Sequence, residues 1–376
     1  MRIRYLVFMA TIVCMLSILP TMTWALRPPS GGLFSYDGTD TLTFLDGEAE
    51  RVRVHYSTSG PNAAPLDDVN EDGRPDFPAY VAEIGEAALT VYTESLGLRP
   101  PLDDTSLSIF DDGGSSAIDI YLVDFAGQAD GNFSRDGCNV DGACSGALIV
   151  ENDFQGYGYR SVEEAIETVV SHELFHAIEA AYVESTPIWV SEGLAVWAER
   201  QFAPESRDFL GFASAYLQEL DRPFHRPPGG PVPSFAYGVG LWWEFLSIEL
   251  GESIAADYLE ALEGMVPDDD TALELIVAFI ELSGQSLNAF WDKFALFNLA
   301  TGARAGKLES YWDADKMYGL RIDELGKRYW KPVVPKPGIL PEMKRKSKST
   351  TLKHLWMQPK SDLRKHSERN GKRIRL

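Results

Sequence analysis

The spacing of apolar residues changes character partway along the chain. Residues 51–56 alternate apolar and polar positions with a period of two, which is typical of a strand with one face in water, and the alternation places His55 on the water-facing side. We also predict strands at 106–110, 118–123 and 147–152. Helical spacing predicts helices at 77–96 and 162–182, and then at 206–220, 236–250, 252–263, 270–283 and 286–300. We therefore predict an α+β fold, with a mixed sheet within residues 26–200 and an all-helical part at 201–330.

The predicted helix at 162–182 carries the chain's most informative motif. Residues 172–176 read H-E-x-x-H. Positions i and i+4 of a helix share a face, so His172 and His176 can direct two imidazole nitrogens at one metal ion. Glu173 then lies next to whatever the metal binds. The pattern predicts a zinc site at which Glu173 acts as the general base toward a zinc-activated water.

Catalytic zinc usually takes three protein ligands, so a third must follow. Thr186 and Pro187 predict the N-cap and the first position of a second helix. Glu192 lies one turn into that helix and is the predicted third ligand. Glu199, two turns further along the same face, is predicted to accept the other ring N–H of a zinc-bound histidine.

The combined motif resembles a known clan of enzymes. H-E-x-x-H followed by W-x-x-E-G-x-A-x-x-x-E at 189–199 is similar to the gluzincin metallopeptidases, and its second half is most similar to the gluzincin aminopeptidases. The order of segments from 51 to about 297 also resembles secreted bacterial metalloproteases known mainly from myxobacteria. The resemblance implies a zincin-like fold, a Zn²⁺ cofactor and hydrolysis of a peptide or protein substrate. It leaves open whether the enzyme is an endopeptidase or an exopeptidase.

The aminopeptidase resemblance suggests two further site residues. Those enzymes carry G-x-M-E-N on a sheet-edge strand before the zinc helix, and its Glu binds the substrate's free amine. Here Glu151 follows Gly146 with two extra residues between them, so Glu151 is a looser match. The Y-x-K-G motif of those enzymes matches Tyr237 and Gly240, with valine in place of lysine, and implies a phenol aimed at the oxyanion. An ordinary core tyrosine is the alternative, and His225 is a rival donor.

Residues 68–76 read D-x-N-x-D-G-x-x-D, which is the first part of an EF-hand-like loop. The predicted calcium ligands are Asp68, Asn70, Asp72 and Asp76. Position 12 of such a loop would be Ala79 rather than the usual bidentate Glu. An acidic, turn-rich loop that binds nothing is therefore the alternative.

Residues 1–25 have the features of a secretory signal: a positive start, a short apolar run and a small-x-small cleavage site. We expect a secreted or periplasmic protein with no transmembrane anchor after cleavage; an uncleaved anchor is the alternative. Cys138 and Cys144 remain, within a Gly/Asp-rich segment at 126–146 that we interpret as a long loop. In an oxidising compartment the pair is expected to form a disulfide, with two free thiols as the alternative.

Charge is distributed unevenly. The whole chain carries a net charge of −22, yet residues 331–376 hold 14 Lys and Arg against 3 Asp and Glu. We expect that basic tail to be disordered. Residues 26–330 then carry a net charge of −35, which argues against a nucleic-acid partner, although it also suits plain solubility. The alternative to a peptidase is a secreted, calcium-stabilised surface or adhesion protein whose zinc site is structural or inactive.

Overall fold

A computed structural model describes residues 27–28, 34–107, 109, 111–220, 222–227, 234–306 and 309–317. The predicted signal at 1–25 and the basic tail at 331–376 lie outside these residues. The described part is a five-stranded mixed sheet with helices packed on it, followed by a run of helices. The predicted α+β fold is confirmed.

The strands are β1 (Leu42–Asp46), β2 (Val52–Ser57), β3 (Ile118–Val123), β4 (Gly131–Cys138) and β5 (Cys144–Glu151). The helices are α1 (Asp76–Thr90), α2 (Val162–Ala180), α3 (Ile188–Phe202), α4 (Asp208–Leu217), α5 (Ser234–Gly238), α6 (Gly240–Leu250), α7 (Ile254–Ala261), α8 (Asp269–Leu282) and α9 (Leu287–Leu299). A π-helical turn at Val91–Ser95 extends α1 to nearly its predicted end. Within the described residues, no single helix combines the length and hydropathy needed to cross a membrane; α8 and α9 do so only as a pair, bent by 100°.

The sheet order, β1-β2-β3-β5-β4, corrects two predictions. The segment at 126–146, expected to be a loop, contains the edge strand β4, which pairs antiparallel with β5 from Gly131 to Cys138. The Gly/Asp-rich sequence of β4 lacks the apolar alternation that would predict a strand. The strand forms through its hydrogen-bonded pairing with β5. The strand before the helix that carries H-E-x-x-H, expected at a sheet edge, is therefore interior, and the edge is β4 instead.

The predicted disulfide is present. Cys138 and Cys144 are joined with an S–S distance of 2.00 Å and close the β4–β5 turn. The predicted strand at 106–110 is not borne out in its described part, because Ser106 ends a 3₁₀ turn (Asp104–Ser106). Residues 108 and 110 of that segment lie outside the described residues.

Both faces of the sheet are covered. Helices α1 and α2 pack on one face, in the main hydrophobic core. On the other face Phe34 and Tyr36 pack over a smaller cluster that includes Tyr121. His55 is therefore not a water-facing residue: its ring stacks on Tyr121 with centroids 4.4 Å apart, and its Nε2 lies 2.7 Å from Asp119. The N-terminal segment, which the strand pattern could not reveal, covers this face.

Helix α2 begins as its sequence predicts and crosses α3 in the core. The Ser161 side chain accepts the Glu164 backbone N–H at 3.2 Å, a typical N-cap. Helix α3 in turn lies close to α6, because the two helices meet at glycines that have no side chain. A Cβ at Gly193 would lie 3.0 Å from Trp243, and a Cβ at Gly240 would lie 2.9 Å from Val196. These contacts fix α3, the helix that carries Glu192, against α6.

Candidate metal centre

The three predicted zinc ligands come together. His172 Nε2 lies 3.2 Å from Glu192 Oε2, and His176 Nε2 lies 3.6 Å from the same oxygen. One ligand atom from each residue lies within 4.8 Å of the other two. In the part of the chain that the structure describes, this is the one group of three or more His, Cys, Asp or Glu that meets that distance limit.

The spacing fits a zinc ion. Zinc bonds of about 2.0–2.1 Å in tetrahedral geometry place ligand atoms roughly 3.3 Å apart, close to the two distances from Glu192. The side chains are recessed but not sealed: His172 is 11% exposed, His176 13% and Glu192 14%. Part of each side chain therefore remains in contact with solvent.

The carboxylates around the two histidines make the local electrostatic environment favourable to positive charge. Burial lowers the pKa of His172, but hydrogen bonds with Glu192 and Glu199 outweigh it and raise the pKa to about 9. Burial likewise lowers the pKa of His176, which Glu192 and Glu179 raise well above its usual value. Burial raises the pKa of Glu192, yet the two histidines lower it overall. The surrounding carboxylates stabilise positive charge here, which a divalent ion would supply.

Glu199 lies where its predicted role requires. Its Oε2 is 3.7 Å from His172 Nδ1, on the side of the ring opposite the metal-facing Nε2. Its other oxygen accepts a hydrogen bond from Ser206 at 3.0 Å, and the side chain is 1% exposed. A buried, fixed carboxylate of this kind sets the tautomer and orientation of a ligand histidine.

His176 has a corresponding support that the sequence reasoning missed. The Ser191 hydroxyl donates to Glu179 Oε2 at 2.6 Å, so its oxygen can accept the Nδ1–H of His176 at 3.2 Å. This arrangement leaves Nε2 of His176 free for the metal. The i, i+3 spacing of His176 and Glu179 on α2 was the available signal.

The predicted N-cap role of Thr186 is wrong. Helix α3 starts at Ile188, and its N-cap, Pro187, makes no side-chain cap hydrogen bond. The Thr186 hydroxyl instead donates to Glu179 Oε1. Because that bond holds the carboxylate beside His176, the threonine belongs to the metal centre's support rather than to the helix start.

Glu173, the predicted general base, lies under the edge strand. Burial raises its pKa, although both histidines oppose the shift. Strand β4 passes so close that a Cβ at Gly131 would lie 2.8 Å from Glu173 Cγ and 3.0 Å from its Oε1. A carboxylate with a raised pKa is a better proton acceptor than an ordinary Glu, and the neighbouring strand limits where this one can lie.

Tyr237 lies beside the metal ligands, as the resemblance implies. Its ring centroid is 5.7 Å from that of His172, and its phenol interacts with Glu192. Burial and the nearby carboxylates of Glu192 and Glu173 raise its pKa, so the phenol stays a proton donor. The rival, His225, lies against Phe224 and near Arg226, and burial lowers its pKa.

Glu151 is used differently from the predicted amine ligand. Its Oε2 accepts hydrogen bonds from the Phe125 backbone at 3.0 Å and from the Tyr157 hydroxyl at 2.7 Å. The side chain is buried at the end of an interior strand. These bonds explain its burial without a substrate, and an amine-binding role remains a prediction.

The loop at 68–76 is bonded to itself. Asp68 accepts the backbone N–H groups of Asp72 and Gly73, and Asp76 accepts that of Val69. Asn70 Oδ1 also accepts the Asp72 N–H at 3.0 Å. These bonds stabilise the turn of the loop, and calcium binding remains a prediction.

Comparison of the sequence with protein-family models and with curated proteins finds no match. The site therefore has to be interpreted from its own geometry.

Proposed function

We propose that this protein is a zinc-dependent peptidase that hydrolyses peptide bonds. The observation that carries the proposal is the convergence of the partly exposed side chains of His172, His176 and Glu192 on one point, with Glu173 beside it. The donor set is two imidazoles and one carboxylate, which is the set used by one class of catalytic zinc sites. Three protein ligands leave a position open for a substrate or a water.

A bound zinc ion would supply Lewis acidity, which lowers the pKa of a water and polarises a carbonyl. Glu173 accepts the proton of the attacking water and later gives it to the leaving amine. Its raised pKa makes the carboxylate a better base for the first transfer. The second transfer is favoured because the departing amine is much more basic than a carboxylate.

The oxyanion that forms needs a donor, and Tyr237 is the residue proposed for it. Its phenol interacts with Glu192 and stays protonated because burial raises its pKa. Glu199 and Glu179 hold the two imidazoles with their Nε2 atoms toward the shared point. Hydrogen-bond donation to developing negative charge in a recessed site is a large contribution to many hydrolytic reactions.

The alternative, a binding or adhesion protein with structural zinc, receives less support. Structural zinc sites are normally closed by four protein ligands. The described residues supply three ligands at this site. A buried carboxylate, that of Glu173, lies beside them at 9% exposure and is not among the predicted ligands. A structural zinc site does not require a carboxylate in that place.

The test is Glu173→Gln, assayed by digestion of a peptide library with mass-spectrometric readout. The variant should keep wild-type zinc content and lose nearly all hydrolysis. Glu163→Gln, exposed in the first turn of the same helix, is the matched control and should leave both unchanged. Hydrolysis that persists in Glu173→Gln, or a wild-type protein that cleaves nothing, would contradict the proposal. Peptides with blocked and free amines distinguish an endopeptidase from an exopeptidase.

A further inference from the structure

Tyr237 is carried by a short element that cannot hold the ring by itself. Helix α5 spans only five residues, Ser234–Gly238. Isolated helices of that length are not stable in water, so packing must fix their side chains. The residues that pack on Tyr237 therefore decide where its hydroxyl points.

Phe212, on α4, makes the closest ring contact with Tyr237. The two ring centroids are 4.8 Å apart and the planes differ by 17°, which is a stacked arrangement. The other ring neighbour is His172, at 5.7 Å and 35°. Tyr237 thus lies between the ring of His172, a proposed metal ligand, and the apolar ring of Phe212.

The backbone beneath these rings is equally close. A Cβ at Gly238 would lie 2.6 Å from the Phe212 carbonyl oxygen and 2.6 Å from Tyr216 Cβ. No side chain fits in that space, so glycine allows α5 to lie directly against α4. This contact sets Tyr237, the next residue along, beside the ring of Phe212.

We infer that Phe212 is a positioning residue for the reaction: its ring holds the phenol of Tyr237 beside Glu192 in the orientation needed at the oxyanion. The inference rests on the proposed function for its catalytic consequence. Phe212 acts through Tyr237 and needs no contact with the substrate. Phe212 is half-buried, so replacing its ring should disturb the packing around Tyr237 more than the hydrophobic core.

The first test is kinetic. Phe212→Leu removes the flat ring with a modest change in volume and should lower kcat about three- to tenfold, the range expected for loss of one aromatic pair. KM and zinc content should change less than twofold. Phe212→Tyr keeps the ring and should keep activity.

A double-mutant cycle distinguishes positioning from a general structural effect. In a Tyr237→Phe background the hydroxyl is already gone, so adding Phe212→Leu should lower kcat no further. Equal losses in both backgrounds, or no loss in either, would overturn the inference. A fall in melting temperature with equal losses would identify Phe212 as a plain packing residue.

A second readout does not depend on turnover. In protein labelled with 3-fluorotyrosine, the ¹⁹F resonance of Tyr237 is identified by its absence in Tyr237→Phe. Loss of the stacked ring shifts this resonance by itself, so the line shape is the readout: the resonance should broaden or split in Phe212→Leu and stay a single sharp line in Phe212→Tyr. A single line of wild-type width in Phe212→Leu overturns the positioning role even if the protein is a peptidase. A wild-type protein with no Glu173-dependent cleavage overturns the proposed function instead, while the resonance still decides the role of Phe212.

Discussion

Gly131→Ala should disable the general base without touching a metal ligand. The added methyl would lie 2.6 Å from Val169 Cγ1, 2.8 Å from Glu173 Cγ and 3.0 Å from Glu173 Oε1. Ordinary carbon–carbon contacts are about 3.5–4.0 Å, so the overlap is roughly 1 Å and something must move. The Glu173 side chain is the more movable neighbour, because Val169 is branched and buried in the core.

Two effects should follow from that displacement. Overpacking of this size costs about 1–3 kcal/mol of unfolding free energy. A catalytic group misplaced by about 1 Å can cost on the order of 100-fold in rate. We therefore expect kcat to fall by about that factor, with zinc content and KM close to wild type.

The assay is steady-state hydrolysis of a quenched fluorescent peptide, with zinc content and thermal melting measured on the same samples. Gly137→Ala is the matched control on the same strand, since its Cβ would approach Ile109 only to 3.1 Å, far along β4 from Glu173. It should keep most of its activity. Wild-type kcat in Gly131→Ala would show that Glu173 is not the base, or that β4 does not hold it.

Three further predictions concern residues around the site and on the far face of the sheet. Glu199→Gln should weaken zinc binding about 10–100-fold in a chelator competition, because His172 loses its charged partner, whereas the exposed Glu205→Gln should not; unchanged affinity would remove Glu199 from its supporting role. Arg27→Met should cost about 3–5 kcal/mol in denaturant unfolding, since the guanidinium is 1% exposed and pairs with Asp104, Asp119 and Asp136; a loss under 1 kcal/mol would contradict this. Burial raises the pKa of Asp104 to about 6 although Arg27 opposes the shift, and an unfolded Asp titrates near about 3.9. The folded state therefore binds this proton more tightly, and its contribution to stability, full below about pH 4, is lost as pH rises to about 6. Asp104→Asn should flatten that part of the curve, and an unchanged pH profile would contradict the assignment.

The grouping of the candidate metal ligands could be predicted from sequence because most of its geometry is local. His172 and His176 share one helical face by spacing alone, and the structure brings both to Glu192. Glu199 follows from the same periodicity on α3. Within one helix, side-chain direction is set by the helical repeat. The meeting of α2 with α3 depends in addition on their packing in the core.

Features that depend on contacts between distant segments of the chain could not be predicted from sequence patterns. The edge strand β4 has no apolar alternation and exists because β5 and a disulfide hold it. The closeness of Gly131 to Glu173 and of Phe212 to Tyr237 arises from contacts between elements far apart in the chain. The covering of the second face of the sheet, where His55 stacks on Tyr121, depends on Phe34 and Tyr36. These residues belong to an N-terminal segment with no regular spacing of apolar residues.

Zinc-edge anomalous diffraction from crystals of the purified protein, with no zinc added, is the most direct test of the central claim. The account predicts one strong peak about 2.0–2.2 Å from His172 Nε2, His176 Nε2 and a carboxylate oxygen of Glu192. A crystal with no peak there, or with zinc held at other residues, would contradict it.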